Sequence, residues 1–188
     1  MNIVLIYGTA APAGRLAKAM RAVTERIWPA DGAHATVIDL AEISLPFAGA
    51  TPWDRLSDQV REAIETVVAA NAVIIFSPVY RASAPGSLKN FLDLLPVEAF
   101  EAKPVAIVAM GATHHHFLAV EADLHPILSW FGAILLPSLY LSSASFEQGE
   151  LTGNTADDLA AYTSSVLDAA RRLHGLRFMP RPLAAAKP

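Results

Sequence analysis

A chain of 188 residues has the length of one domain, and a domain of that size buries roughly 70% of its unfolded surface. With 53% hydrophobic and only 17% charged residues, it carries more apolar surface than one small core needs, which favours self-association. A net charge of −4, from 14 basic and 18 acidic residues with no basic cluster, excludes a stripe for nucleic-acid phosphates, and the lack of cysteine excludes disulfides, thiolate catalysis and cysteine-ligated metals.

Residues 2–7 (NIVLIY) form a short apolar run closed by Gly8, the pattern of a central parallel strand covered on both faces. They have no basic leader before them, so a signal peptide is not expected. Leu16, Met20, Val23 and Ile27 recur at helical spacing, with Pro29 and Gly32 ending that helix. Residues 35–40 (ATVIDL) read as a second strand. The loop 41–53 is punctuated by Pro and Gly yet unusually apolar, so it is expected to pack on a neighbour. Val60, Ile64 and Val67 mark a second helix, and residues 72–76 (AVIIF) a third, fully buried strand.

A helix over residues 88–95 follows, then a fourth strand over 104–110 (PVAIVAM). The spacing predicts a helix over 117–130 with Leu118, Leu124, Ile127 and Leu128 on one side and Pro126 kinking it or forcing an irregular turn. A broken fifth strand over 133–141 and a long closing helix marked by Leu159, Tyr162, Val166, Ala170 and Leu173 complete the pattern. No apolar run approaches the roughly 18 residues of a membrane span. Residues 1–175 are expected to form a single domain and 176–188 a flexible tail. Alternating strands and helices argue a doubly wound, three-layer α/β sandwich with a five-stranded parallel sheet of order 2-1-3-4-5. Right-handed crossovers bring the loops after strands one, three and four to one edge, the predicted site.

The first loop, Gly8-Thr9-Ala10-Ala11-Pro12-Ala13-Gly14-Arg15, opens a helix whose free N–H groups and positive dipole end attract an anion. Thr9 adds a hydroxyl and Arg15 a planar fork suited to phosphate. Neither G-x-G-x-x-G nor a Walker motif is present. The second loop starts SPVY and runs through Pro85-Gly86 into LKNFLD. Pro78 stiffens it, Tyr80 offers a flat ring with a polar tip, and Pro85-Gly86 sits where a helix opens. Lys89 and Asp93 read as a surface pair. In the third loop, Gly111-Ala112-Thr113-His114, Ala112 must keep φ negative and Thr113 is a candidate helix cap. His114, His115 and His116 are consecutive, so on a helix they point about 100° apart and cannot share one metal ion; no metal site is expected.

These loops together resemble the NAD(P)H-dependent FMN reductase family, which has a flavodoxin-like fold. The resemblance is carried by Ser77, Pro78, Val79, Tyr80, Pro85, Gly86, Leu88, Lys89 and Asp93, and extends to Asp39-Leu40 and Leu45-Pro46. It implies FMN and NAD(P)H as cofactors, with Ser77, Pro78, Val79 and Tyr80 along the flavin ring and ribityl chain. Gly111, Ala112, Thr113 and His114 would lie at its pyrimidine edge, and Thr9, Gly14 and Arg15 around its phosphate. Gly14 and Leu16 stand where the family has hydroxyl residues beside the arginine, which implies exchangeable FMN. Residues 117–126 (FLAVEADLHP) resemble the reductases that supply reduced flavin to alkanesulfonate monooxygenases, implying such a partner. The apolar excess points to a homodimer or homotetramer, with the loop 41–53 and the helix 117–130 as candidate interfaces. A cytoplasmic location is expected, with no nucleic acid or membrane partner. Because the flavin supplies the electron chemistry, no catalytic residue is named. An FMN-bound quinone, azo-dye or metal-oxyanion reductase, a flavodoxin-type electron carrier and a flavin-free binding protein on the same fold remain the alternatives. The preference between NADH and NADPH stays open.

Overall fold

Successive residues along the central strands face opposite sides of a sheet, and both sides are covered. In the computed structural model, which describes residues 1–27 and 32–176, β1 (Asn2–Tyr7) has all but its first residue buried. Its Val4 and Ile6 enter one apolar layer, while Ile3, Leu5 and Tyr7 enter the other. α1 (Arg15–Ile27) follows and buries Leu16, Met20, Val23 and Ile27. Pro29 and residues 177–188, the bulk of the expected tail, lie outside the described residues.

β2 (His34–Asp39) has only Ile38 fully buried, as suits an edge strand. In the loop beyond it, Ile43 and Leu45 pack on the core, but Phe47 and Trp53 are 82% and 49% exposed. The expectation that this segment packs therefore holds for its first half only. α2 (Asp58–Ala69) starts at Ser57, whose side chain accepts from the Val60 N–H, satisfying one of the free donors of a helix start. β3 (Ala72–Pro78), α3 (Gly86–Leu94) and β4 (Pro104–Met110) complete the centre. α2, α3 and α4 (Ala119–Trp130) cover one face, whereas α1 and α5 (Gly153–Leu173) cover the other.

The strands run parallel in the order β2-β1-β3-β4-β5, the predicted doubly wound arrangement. The fifth strand is split: β5 (Ile134–Leu135) pairs with the start of β4 and β6 (Leu139–Leu141) with its end. Between the pieces, Tyr162 of α5 donates to the Pro137 carbonyl at 2.8 Å and the Ile107 carbonyl at 3.2 Å, so the break is pinned from the helix layer. An antiparallel hairpin, β7 (Phe146–Glu147) and β8 (Glu150–Leu151), leads into α5.

Helix α4 departs from its expected bounds. Residues 114–116 form a 3-10 turn and α4 begins at Ala119, leaving Phe117 and Leu118 54% and 51% exposed. Leu118 therefore does not share the buried side of Leu124 and Leu128, and Val120 takes that place. Pro126 sits within the helix without ending it. No helix among the described residues is long and apolar enough to cross a membrane.

Candidate functional site

Parallel pairing aligns the carboxyl ends of the central strands. Tyr7 pairs with Phe76, Phe76 with Val108, and Pro78 with Met110. The loops that follow β1, β3 and β4 thus meet along one edge, where open α/β sheets bind ligands.

Gly8 allows the first loop to turn close to α3. A Cβ at this position would stand 2.8 Å from Leu88 Cδ2 and 3.1 Å from the Phe76 carbonyl oxygen, and the Gly8 N–H donates to that carbonyl at 2.8 Å. Thr9 is 2% exposed. Its hydroxyl accepts from the Ala11 N–H at 3.1 Å and lies 3.2 Å from the Tyr80 hydroxyl, so it tightens the first loop and ties it to the second. Below them the Tyr7 phenol reaches the backbone of Gly14. Burial raises its pKa, with further upward contributions from Asp39 and Tyr80.

Gly14 is exposed, and its carbonyl accepts from the Ala17 N–H at 3.0 Å as α1 begins. Arg15 is exposed and makes no ion pair with a carboxylate among the described residues. Its guanidinium lies 5.6 Å from the centre of the Phe146 ring, within cation–π range. The hairpin that carries Phe146 is held to α1 by the Lys18–Glu150 ion pair. An unneutralised guanidinium beside the free N–H groups of a helix start is a donor set for phosphate or another anion.

In the second loop Ser77 is fully buried and its hydroxyl donates to the Pro78 carbonyl at 3.1 Å. Val79 donates its N–H to the Met110 carbonyl at 2.8 Å. Tyr80 is 46% exposed, presenting an amphipathic ring at the edge. Tyr80 and Ser83 exchange both backbone hydrogen bonds, at 2.8 and 3.0 Å. Between them Arg81 and Ala82 have φ of 51° and 61°, the pairing of left-handed residues that defines a type I′ turn.

Gly111 opens the third loop beneath a tyrosine. A Cβ there would stand 2.1 Å from the Tyr140 hydroxyl oxygen, which donates to the Thr113 carbonyl at 2.6 Å. Ala112 is not among the residues with positive φ, as its side chain requires. Thr113 precedes the 3-10 turn but makes no side-chain cap bond; its hydroxyl lies 3.1 Å from His115 Nδ1 instead. The capping expectation is corrected accordingly. The His114 ring centre is 6.2 Å from that of Tyr140. Among the described residues no group of three or more His, Asp or Glu side chains could hold a metal. Lys89 and Asp93 form the expected surface pair at 2.6 Å.

Sequence reasoning missed three residues at this edge: Tyr140, Phe146 and Asp123. The Asp123 carboxylate of α4 accepts from the Ser83 hydroxyl at 2.6 Å and the Ala84 N–H at 3.0 Å. Each acts across a long sequence separation, which no local pattern reveals.

A doubly wound parallel sheet of this strand order, with three loops meeting at its carboxyl edge, defines the flavodoxin-like fold. Residues 1–148 match the model of the NADPH-dependent FMN reductase family, and the chain belongs to that family. It is 34% identical over 112 residues to an FMN reductase (NADPH) of Pseudomonas aeruginosa, a match covering 59% of this chain and 60% of that protein. It is 30% identical over 145 residues to the NADH-dependent FMN reductase SfnF of Pseudomonas fluorescens, covering 77% and 76%. The fold superposes on the apo form of NADH:FMN oxidoreductase (EMOB) with a TM-score of 0.80 at 24% identity, covering 98% of this chain and 99% of that one.

Proposed function

We propose that this chain uses NAD(P)H to reduce FMN and releases the reduced flavin to a second protein. The observation that carries the reading is Arg15, exposed at the start of α1 and in no ion pair among the described residues, in a chain of this family. Arg15 and the first-turn N–H groups of α1 hold the flavin phosphate, with Gly14 leaving room for a close approach of the backbone. Val79 and Tyr80 form the platform for the ring, and the backbone of Gly111, Ala112 and Thr113 meets its pyrimidine edge, with His114 at the rim. Thr9, Ser77 and Pro78 act by fixing the loops, since the Thr9 and Ser77 side chains are buried.

Held there, FMN would supply the electron chemistry as the acceptor of the nicotinamide hydride. The protein's contribution is to stack two rings in contact and exclude water, so no side chain is assigned as acid or base. Gly14 and Leu16 provide no hydroxyl beside Arg15, and FMN consequently exchanges as a substrate. The acceptor of the reduced flavin is a flavin-dependent monooxygenase. We place the protein in the cytoplasm, as a single domain over residues 1–175 that assembles into a homodimer or homotetramer. Steady-state NAD(P)H oxidation with and without added FMN tests the reading. Saturable stimulation by FMN is expected; a yellow protein indifferent to added FMN, but active on quinones or azo dyes, would replace it with a resident-flavin reductase.

A further inference from the structure

The turn at residues 80–83 adopts a conformation that its own sequence does not favour. Type I′ turns prefer Asn-Gly or Asp-Gly because both central residues need positive φ. Here they are Arg81 and Ala82, at 51° and 61°, and neither has the short polar side chain or the missing Cβ that eases this region. Strain of this kind persists only where surrounding contacts over-determine it, and it gathers at ligand-binding sites.

The contact that over-determines it comes from outside the loop. Both Asp123 bonds, from the Ser83 hydroxyl and from the Ala84 N–H, end on the same oxygen, Oδ2. They restrain the descending arm of the turn, while the Thr9–Tyr80 hydroxyl pair and the Val79–Met110 backbone bond restrain the ascending arm. Asp123 lies on α4, the helix that follows the third loop. One carboxylate therefore ties the second loop to the helix that follows the third.

We infer that Asp123 is a positioning residue for the flavin ring: by holding the strained turn 80–83 it sets the surface that Val79 and Tyr80 present. This rests on the proposed flavin site and deepens it. The effect falls first on the ring, because both Asp123 bonds end on the second loop and neither reaches Arg15 or the α1 start.

Fluorescence titrations with FMN and with riboflavin, which lacks the phosphate, separate the outcomes. Asp123→Ala should weaken both ligands by roughly ten-fold and leave their ratio unchanged, since it removes two charge-assisted bonds. Asp123→Asn, which retains one oxygen able to accept both bonds, should stay within about two-fold of the parent. Adding Ala82→Gly to Asp123→Ala should recover much of the loss, because glycine takes positive φ without strain. If the alanine variant does not fold, Ser83→Ala, which removes the 2.6 Å bond alone, must show the same pattern at about three-fold. Parental affinity in folded Asp123→Ala, or no recovery in the double variant, overturns the inference while leaving the flavin site standing. Wild-type protein that binds neither flavin overturns the site reading, and this inference with it.

Discussion

Arg15 is the residue to which we assign phosphate recognition, and its setting is visible only in three dimensions. The sequence places an arginine at the start of a helix, but not the Phe146 ring 5.6 Å from its guanidinium, because the two are more than a hundred positions apart. An exposed cation–π contact contributes about 0.5–1 kcal/mol, enough to bias the guanidinium toward one orientation. Charge-assisted hydrogen bonds contribute about 1.5–3 kcal/mol each. Arg15→Ala should therefore weaken FMN ten-fold or more while leaving riboflavin almost untouched, as read by isothermal titration. Equal losses for both ligands would place Arg15 in a structural role; no loss would remove it from the phosphate site. Gly111 gives a contrasting case. Its requirement comes from the Tyr140 hydroxyl, 2.1 Å from where a Cβ would sit, rather than from any unusual backbone angle.

At the level of elements, local pattern and tertiary placement contributed differently. β1, β3 and β4 were legible because parallel strands buried on both faces are near-continuous apolar runs. α1 was equally legible, since Leu16, Met20, Val23 and Ile27 fall on one face. The turn at Arg81-Ala82 could not be read, because its conformation is imposed by Asp123 rather than encoded by turn residues. The hairpin at 146–151 did carry a signal. Gln148 and Gly149 occupy positive φ, at 50° and 84°, and a glycine between two short strands is the usual mark of such a turn.

Lys103 links α2 to the segment before β4 through a partly buried ammonium. Its ammonium donates to the Val67 and Ala99 carbonyls at 2.9 and 2.7 Å, and also to Val68, with Val67 and Val68 in the last turn of α2 and Lys103 just before β4. Burial lowers its pKa from the usual 10.5 to about 8. Between those values the unfolded chain binds more protons than the folded one, so this group's contribution to stability rises with pH from about 8 to 10.5. Urea unfolding of wild type and Lys103→Met should give a stability difference that shifts in favour of wild type over that window. Tyr7, Tyr140 and Tyr162, whose pKa values burial raises, cancel in the comparison. A difference independent of pH would contradict the buried-charge account.

Among the described residues, large apolar side chains stay exposed outside the two core layers, among them Phe47, Trp53, Phe117, Leu118 and Trp130. A hollow of about 540 Å³ between α3 and α4 is lined by Leu92, Leu95, Val97, Ile127, Trp130 and Phe131, and Trp130 remains 50% exposed. Val97 at the rim of the hollow is 43% exposed, and both side chains are apolar surface that the proposed homodimer or homotetramer would cover. Sedimentation velocity at micromolar concentration should therefore show a dimer or larger species, and a monomer would refute self-association. Overall architecture was readable from the alternation of strands and helices, whereas the joining of the loops at the site depended on long-range bonds such as Thr9–Tyr80 and Asp123–Ser83.

The central claim is that FMN passes through this protein as a substrate. Anaerobic NAD(P)H consumption, followed with FMN in large excess over enzyme and no other acceptor, tests it most directly. The account predicts one FMN reduced per nicotinamide oxidised, continuing through many enzyme equivalents until the flavin is exhausted. A single turnover of tightly held flavin, or no flavin reduction at all, would contradict it.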